Sequence, residues 1–244
     1  MISRTINLRG KSHQFLLREG TSDENVFNDI LAQRKFDLRR LKNRRADDLA
    51  RFLARKKQET GKPPLVVDVG ANIGASSMFF ADHIPESLVV AVEPEAGNYA
   101  LLQQNIDNEY VQPVQAAASS APGRMRVIDM RPLNPEASHW SFRTERSDAA
   151  TDTVSCITIN DIYAHAESRC FPFLVKVDIE GAEADLFAAN TEWVAKTPVV
   201  VIELHDWMLP GTANSRPFLQ CVSQLNRDFL YIGEEVYSVA NDLA

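Results

Sequence analysis

Two groups of residues in this chain have types and spacings suited to chemistry. The first is Asp68-Val69-Gly70-Ala71-Asn72-Ile73-Gly74, a D-x-G-x-x-x-G run. Glycines there let the backbone turn sharply and approach a ligand, and a turn leading into a helix aims amide N–H groups at it. A pyrophosphate site has G-x-G-x-x-G spacing. Here Asp68 stands where the first glycine belongs, and a carboxylate repels pyrophosphate while pairing with a cationic amino-acid group or orienting water around it. Glu93 lies 19 residues beyond Gly74 and is followed by Pro94, a spacing at which an acid accepts hydrogen bonds from ribose hydroxyls. The pair suits a nucleoside with a cationic amino-acid group and no phosphate, a description S-adenosylmethionine meets. The plainer alternatives are a generic glycine turn and a solvated or helix-capping acid.

The second group is Lys176, Asp178 and Glu180, with Glu203 and His205 further on. Alternating residues share one face of a strand, so Lys176 pairs with Asp178 and Glu203 with His205. His205 has the unperturbed pKa of a general base. Asp178 is the alternative base, its pKa open to elevation by burial or by Glu180, and Lys176 can stabilise a developing alkoxide. Asp178, Glu203 and His205 also form a candidate set of ligands for a divalent cation. A buried lysine–carboxylate brace is the structural alternative, because buried charges are normally paired.

These residues need elements to hold them. Short apolar runs at 65–69, 88–92, 111–117, 173–177 and 199–204 alternate with helical segments at 75–84 and 95–107. Near-continuous apolar strands between helices predict an α/β fold with a mostly parallel sheet covered on both faces. Residues 229–232 and 236–239, separated by Gly233-Glu234-Glu235, read as a hairpin. Residues 27–58 carry apolar positions three and four apart and many Arg and Lys residues. They read as an amphipathic helix, either a solvated face packed on the domain or a lid or docking surface. The division expected is a helical N-terminal extension or lid over 1–60 and one domain over 61–244, with an irregular insertion or hairpin over 118–155 near the substrate side. His139 and Trp140, within that insertion, are candidates to cap the site, and Trp207 to wall the pocket.

The motif Lys176-Val177-Asp178-Ile179-Glu180-Gly181-Ala182-Glu183 resembles the K-[IV]-D-[IV]-E-G-A-E signature of the FkbM methyltransferase family. Val92-Glu93-Pro94, Ile157-Thr158-Ile159-Asn160-Asp161 and Val201-Ile202-Glu203-Leu204-His205 resemble it at matching places along residues 60–240. The resemblance implies a Rossmann-like class I methyltransferase: a seven-stranded, mostly parallel sheet with an antiparallel C-terminal strand and helices on both faces. It implies S-adenosylmethionine as cofactor and O-methylation of a hydroxyl on a small molecule or sugar. By position, Asp68, Gly70, Ala71, Asn72 and Gly74 would hold the methionine part, Glu93 with Pro94 the ribose, Asn98 the ribose side, and Ala117 the adenine.

Composition narrows the field. The chain has 244 residues, 45 % of them hydrophobic, and a formal charge of -7. The acidity argues against general duplex binding. The three cysteines, Cys156, Cys170 and Cys221, form no C-x-x-C pair, which disfavours a zinc site or disulfide framework. No apolar run reaches the roughly 20 residues of a membrane helix, so the expectation is a soluble, cytoplasmic protein without a membrane partner. An NAD-dependent oxidoreductase, a non-catalytic nucleoside-binding scaffold and an RNA ribose methyltransferase are the rival functions. The sequence leaves the acceptor and the oligomeric state open, a homodimer included.

Overall fold

The computed structural model describes residues 1–42, 44–130, 142–149 and 151–243. The chain opens with β1 (Ile2–Leu8) and β2 (Lys11–Leu17). Next come α1 (Asp23–Phe27), a π-helical turn (Asn28–Ala32), a 3-10 turn (Leu38–Arg40) and α2 (Arg45–Thr60). The alternating region follows as β3 (Pro64–Val69), α3 (Ala75–His83), β4 (Leu88–Val92), α4 (Ala96–Asn105) and β5 (Val111–Val114). Four short strands come next, β6 (Ala117–Ala118), β7 (Arg124–Asp129), β8 (Phe142–Arg146) and β9 (Val154–Ile157). The chain then runs through α5 (Ile159–Ala166), β10 (Phe171–Val177), α6 (Glu183–Leu186), α7 (Glu192–Lys196), β11 (Val199–Glu203), α8 (Arg216–Ser223), β12 (Arg227–Ile232) and β13 (Glu235–Ala240).

The central sheet has seven strands in the order β12-β13-β11-β10-β3-β4-β5. Strands β5, β4, β3, β10 and β11 pair in parallel, and β13 runs antiparallel to both β11 and β12. This is the Rossmann-like class I arrangement expected, with β13 as the antiparallel strand. Its period-two side chains divide between two cores. Val66 faces Phe80 and Leu102 on one side, while Leu65, Val67 and Val69 face Ile162, Trp193 and Phe218 on the other. The chain leaves β3 toward β4 on one side and later returns through β10 on the other, so β3 and β10 flank the topological switch point. Ligands of open α/β sheets bind there, outside the carboxyl ends of the strands.

The N-terminal sixty residues depart from the helical extension expected. Residues 1–17 form an antiparallel hairpin in register from Ile2↔Leu17 to Leu8↔Lys11, turned by Arg9 and Gly10 at positive φ. Its Leu8, Phe15 and Leu17 are buried in the same core as α3 and α4. The helix expected over residues 27–58 is interrupted: only α2 is a regular helix, and the stretch before it is partly extended so that Phe36, Leu38 and Leu41 can all reach the core. His83 holds this stretch, its Nε2 taking the Leu38 N–H at 3.1 Å while its ring stacks on Phe79. In α2, Phe52 packs between Phe171 and Phe173 at the start of β10, and Arg45 reaches Asp228 and Asn241 near the C-terminus.

The expected insertion is a four-stranded sheet, β6-β9-β7-β8. It is tied to α6 by an Arg146–Asp185 ion pair of 2.7 Å. His139 and Trp140 lie outside the described residues. The three cysteines are free thiols, and no helix among the described residues is long and apolar enough to cross a membrane.

Candidate active site

The strand ends frame a cavity of about 410 Å³, within the usual size of a small-molecule site. On one side lie the turn after β3 (Gly70, Ala71 and Asn72), the end of β4 (Glu93 and Pro94) and Asn98 in the first turn of α4. Ala117 and Ala118 of β6, with Phe142 and Thr144 of β8, continue the wall, so the insertion does reach the crevice. At the far end stand Lys176, Asp178, Glu180, Glu203, His205 and Trp207. Val26, Ile30, Lys35 and Phe36 close it from the N-terminal segment, for which a lid is one of the readings the sequence offers.

The turn after β3 is a tight construction. Gly70 has φ +77, and a Cβ there would lie 1.7 Å from the backbone oxygen of Asp178. Only glycine lets the ends of β3 and β10 approach so closely. Asn72 is also at positive φ, a conformation asparagine tolerates better than most residues. Its N–H donates to Glu93 Oε2 at 2.8 Å, and the Glu95 N–H donates to Glu93 Oε1 at 2.9 Å. Glu93 therefore joins the tips of β3 and β4. Burial drives its carboxyl up to about 7, against the two backbone hydrogen bonds that favour the anion.

Asp68 has a different place from the one expected. It is fully buried behind the turn and is not among the cavity-lining residues. Ser76 and Ser77 donate to its Oδ2 at 2.6 and 2.5 Å, and Lys176 Nζ stands 3.4 Å from Oδ1. Its side chain lies on the α3 side of the sheet, as period two requires of a residue alternating with Val67 and Val69, behind Ser76, which does line the cavity. Gly74, likewise outside the lining, is the N-cap of α3 with φ +93.

Lys176 is also committed. Its ammonium donates to the Gly70 carbonyl at 2.7 Å and pairs with Asp68 and Asp178 at 3.4 Å each. One hydrogen bond and two ion pairs thus hold the ammonium between the turn and two carboxylates. The brace reading accounts for this residue.

His205 is the centre of the acidic end. Its side chain is 1 % exposed, and Nδ1 lies 2.8 Å from Oε1 of the fully buried Glu183. Nε2 faces Asp178 Oδ1 at 3.7 Å, Glu180 Oε2 at 3.6 Å and Glu203 Oε1 at 3.6 Å. Burial opposes charge on the imidazole, but Glu183, Asp178 and Glu180 outweigh it and push its pKa up to about 9. With only the protein around it, the imidazole thus holds its proton at neutral pH. This conflicts with the general-base role expected from its unperturbed pKa. Burial opposes the Asp178 anion too, yet Lys176, His205 and Lys35 hold its pKa below the ordinary value, the opposite of the elevation expected. Burial and then Asp178 raise both Glu180 and Glu203. Glu180 occupies left-handed backbone at φ 52, a strained position of the kind that collects at functional sites.

Sequence reasoning missed several members of this network. Glu183 was visible in the E-G-A-E motif but had no assigned partner. Lys35 Nζ contacts Glu235 at 2.5 Å and Glu203 at 3.6 Å; it is one of many Arg and Lys residues in the stretch 27–58, and no local signal singles it out.

A family profile described as the methyltransferase FkbM domain matches residues 68–229. No curated protein matches the chain by sequence. Among solved structures, the fibrillarin/Nop5p complex is similar at 13 % identity, covering 96 % of this chain and 95 % of that one, with a TM-score of 0.42. The O-methyltransferase from Bacillus cereus in complex with SAH shows 10 % identity over 88 % and 90 % of the two chains, with a TM-score of 0.42. Aeropyrum pernix fibrillarin with natively bound S-adenosyl-L-methionine shows 10 % identity over 97 % and 82 %, with a TM-score of 0.41.

Proposed function

The chain belongs to the FkbM methyltransferase family, and from that premise we propose that it is an S-adenosylmethionine-dependent O-methyltransferase acting on a hydroxyl of a small molecule or sugar. The observation that carries the reading is the junction of Gly70, Asn72 and Glu93 at the carboxyl ends of adjacent strands. There a backbone turn and an acid converge on one crevice. The buried Oδ1 atoms of Asn72 and Asn98 have no hydrogen-bond partner among the described residues, and both residues line that crevice, so it suits a polar ligand.

When bound, S-adenosylmethionine supplies an already activated methyl donor, so the protein mainly aligns the acceptor and excludes water. Glu93 keeps one lone pair on each oxygen beyond those taken by Asn72 and Glu95, enough for two ribose hydroxyls. Gly70, Ala71 and Asn72 hold the methionine part, and Ala117 lies toward the base. A hydroxyl acceptor loses a proton as it attacks. Asp178, Glu180, Glu203 and His205 form the polar end of the crevice that receives the acceptor, and a carboxylate there takes the proton. The carboxylates there, with Asp29 and Glu234 nearby, repel a phosphodiester backbone. This favours a small molecule or sugar over RNA.

Calorimetry with S-adenosylhomocysteine and NAD, followed by labelled methyl transfer to a panel of hydroxylated acceptors, tests the reading. We expect homocysteine-nucleoside binding far tighter than NAD and label on oxygen. Equal affinity for NAD overturns the cofactor assignment, and label on nitrogen or carbon overturns O-methylation.

A further inference from the structure

We propose that Asp178, Glu203 and His205 form a binding site for a divalent transition-metal ion at the acceptor end of the crevice, with Glu180 beside it. One ligand atom from each of Asp178, Glu203 and His205 can be chosen so that all lie within 4.8 Å of one another. Two donors bound to one ion at about 2.1 Å stand roughly 3.0–3.4 Å apart at angles of 90–109°. The distances from His205 Nε2 to the Asp178, Glu180 and Glu203 oxygens, 3.7, 3.6 and 3.6 Å, come within a few tenths of that.

Three further observations point to a cation. First, His205 is 1 % exposed, yet its Nε2 has no hydrogen-bond partner among the described residues and faces three carboxylate oxygens almost evenly. A ring N–H paired with one of them would come within normal hydrogen-bond distance. The buried Glu180 Oε2, facing the same point, also lacks a hydrogen-bond partner among the described residues.

Second, the ligands are already aimed. Glu183 holds Nδ1 at 2.8 Å, which turns Nε2 toward the carboxylates as a carboxylate–histidine–metal arrangement requires. Asp178 gives Oδ2 to Lys176 at 3.4 Å and turns Oδ1 to His205. Glu203 gives Oε2 to Lys35 at 3.6 Å and turns Oε1 inward. Each lysine thus fixes the outer oxygen of one ligand and leaves the inner one free.

Third, the charge does not balance. Among the described residues, Asp68, Asp178, Glu180, Glu183, Glu203 and Glu235 are joined through ion pairs to only three groups able to carry positive charge, Lys35, Lys176 and His205. A divalent ion in place of the imidazole proton would offset the carboxylates that face Nε2. Imidazole with carboxylate ligation suits Mn²⁺, Co²⁺ or Zn²⁺ better than Ca²⁺ or Mg²⁺, which prefer oxygen alone. In the role we assign it, which rests on the O-methylation reading above, the ion would bind the acceptor oxygen and lower its pKa; the proton would pass to the neighbouring Glu180 carboxylate as the oxygen takes the methyl and the sulfonium S–CH3 bond breaks.

The test uses the full chain, stripped of metal and free of any affinity tag, with Mn²⁺ as the probe. Mn²⁺ binding is followed by calorimetry and electron paramagnetic resonance, and S-adenosylhomocysteine binding is measured in parallel. We expect one Mn²⁺ per chain and nitrogen modulation from one imidazole in the spin-echo spectrum. Affinity should fall at least thirtyfold in Asp178→Asn and Glu203→Gln, and roughly tenfold in Glu183→Gln, where only the support of His205 is lost. The imidazole signal in the unaltered protein needs no variant to fold. If S-adenosylhomocysteine binds and Mn²⁺ does not, or Mn²⁺ binds without an imidazole signal, the metal site is overturned and the methyltransferase reading stands. If Mn²⁺ binds as expected but S-adenosylhomocysteine does not, the metal site stands and the reading of the crevice fails.

Discussion

Cofactor binding should depend on pH through Glu93, and the structure sets the size of the effect. Burial holds this carboxyl at about 7, well above its ordinary 4.5. Its oxygens already accept from the Asn72 and Glu95 amides, so ribose hydroxyls can donate to it only while it is ionised. If ligand binds the anion alone, a pKa near 7 predicts affinity roughly 90-fold weaker at pH 5 than at pH 8, about 2.7 kcal/mol. The stability of the free protein should move the other way. A carboxyl whose pKa is raised on folding contributes stability that is complete below pH 4.5 and is lost as pH rises through 7. Calorimetric titration of S-adenosylhomocysteine across this range, in buffers of different ionisation enthalpy, reads both the affinity and the proton released. Glu93→Gln, which can accept only one of the two amides, should bind weakly at every pH and lose the slope. An affinity that stays flat from pH 5 to 8 in folded protein, or a Gln variant with the original slope, would refute the ribose role of Glu93.

Three other substitutions probe the frame around the crevice. Gly70→Ala forces a Cβ to within 1.7 Å of the Asp178 carbonyl. It should cost about 4 kcal/mol or more and abolish nucleoside binding; a urea midpoint near that of the parent would show that the two strand tips separate freely. Phe52→Ala removes a buried ring packed on Phe171 and Phe173 and should cost about 3–5 kcal/mol. Calorimetry should show one cooperative transition shifted as a whole, whereas an unmoved main transition would mean that α2 is a detachable lid. Trp207 lines the cavity while 63 % exposed. Its replacement by Ala should change stability by less than about 0.5 kcal/mol and lower kcat/KM for the acceptor about tenfold through lost ring contact, so an unchanged kcat/KM would remove it from the pocket.

The parallel sheet was legible because each central strand is apolar on both faces. Leu65 to Val69 and Leu88 to Val92 need no partner to be recognised as buried. The crevice was legible for the same reason: side chains just beyond those strands must lie at one end of a parallel sheet. The N-terminal hairpin also carried a signal, with Ile2, Ile6 and Leu8 alternating before Gly10. It was masked by the denser three-and-four spacing and the charge of residues 27–58. The role of Asp68 was misread for a subtler reason. Spacing identified its strand position correctly, but only the pairing of β3 with β10 brings Lys176 beside it and commits it to an ion pair behind the turn. Lys35 could not be found at all from sequence, since its partners Glu203 and Glu235 are brought to it by the antiparallel insertion of β13.

That last point bears on how the two ends of the crevice communicate. Lys176 donates to the carbonyl of Gly70 and pairs with the Asp178 carboxylate, and the backbone of Asp178 fills the space where a side chain at position 70 would sit. The turn that faces the nucleoside and the acid that faces the acceptor therefore cannot shift independently. Lys35 ties the acidic end in turn to the N-terminal segment that closes the cavity, and Phe36 beside it is locked in the core against Phe80. Opening the crevice from that side would break the Lys35 pairs and leave Glu235, nearly fully buried, without its cation, a cost of several kcal/mol. Trp207, exposed at the same crevice, takes no part in those pairs.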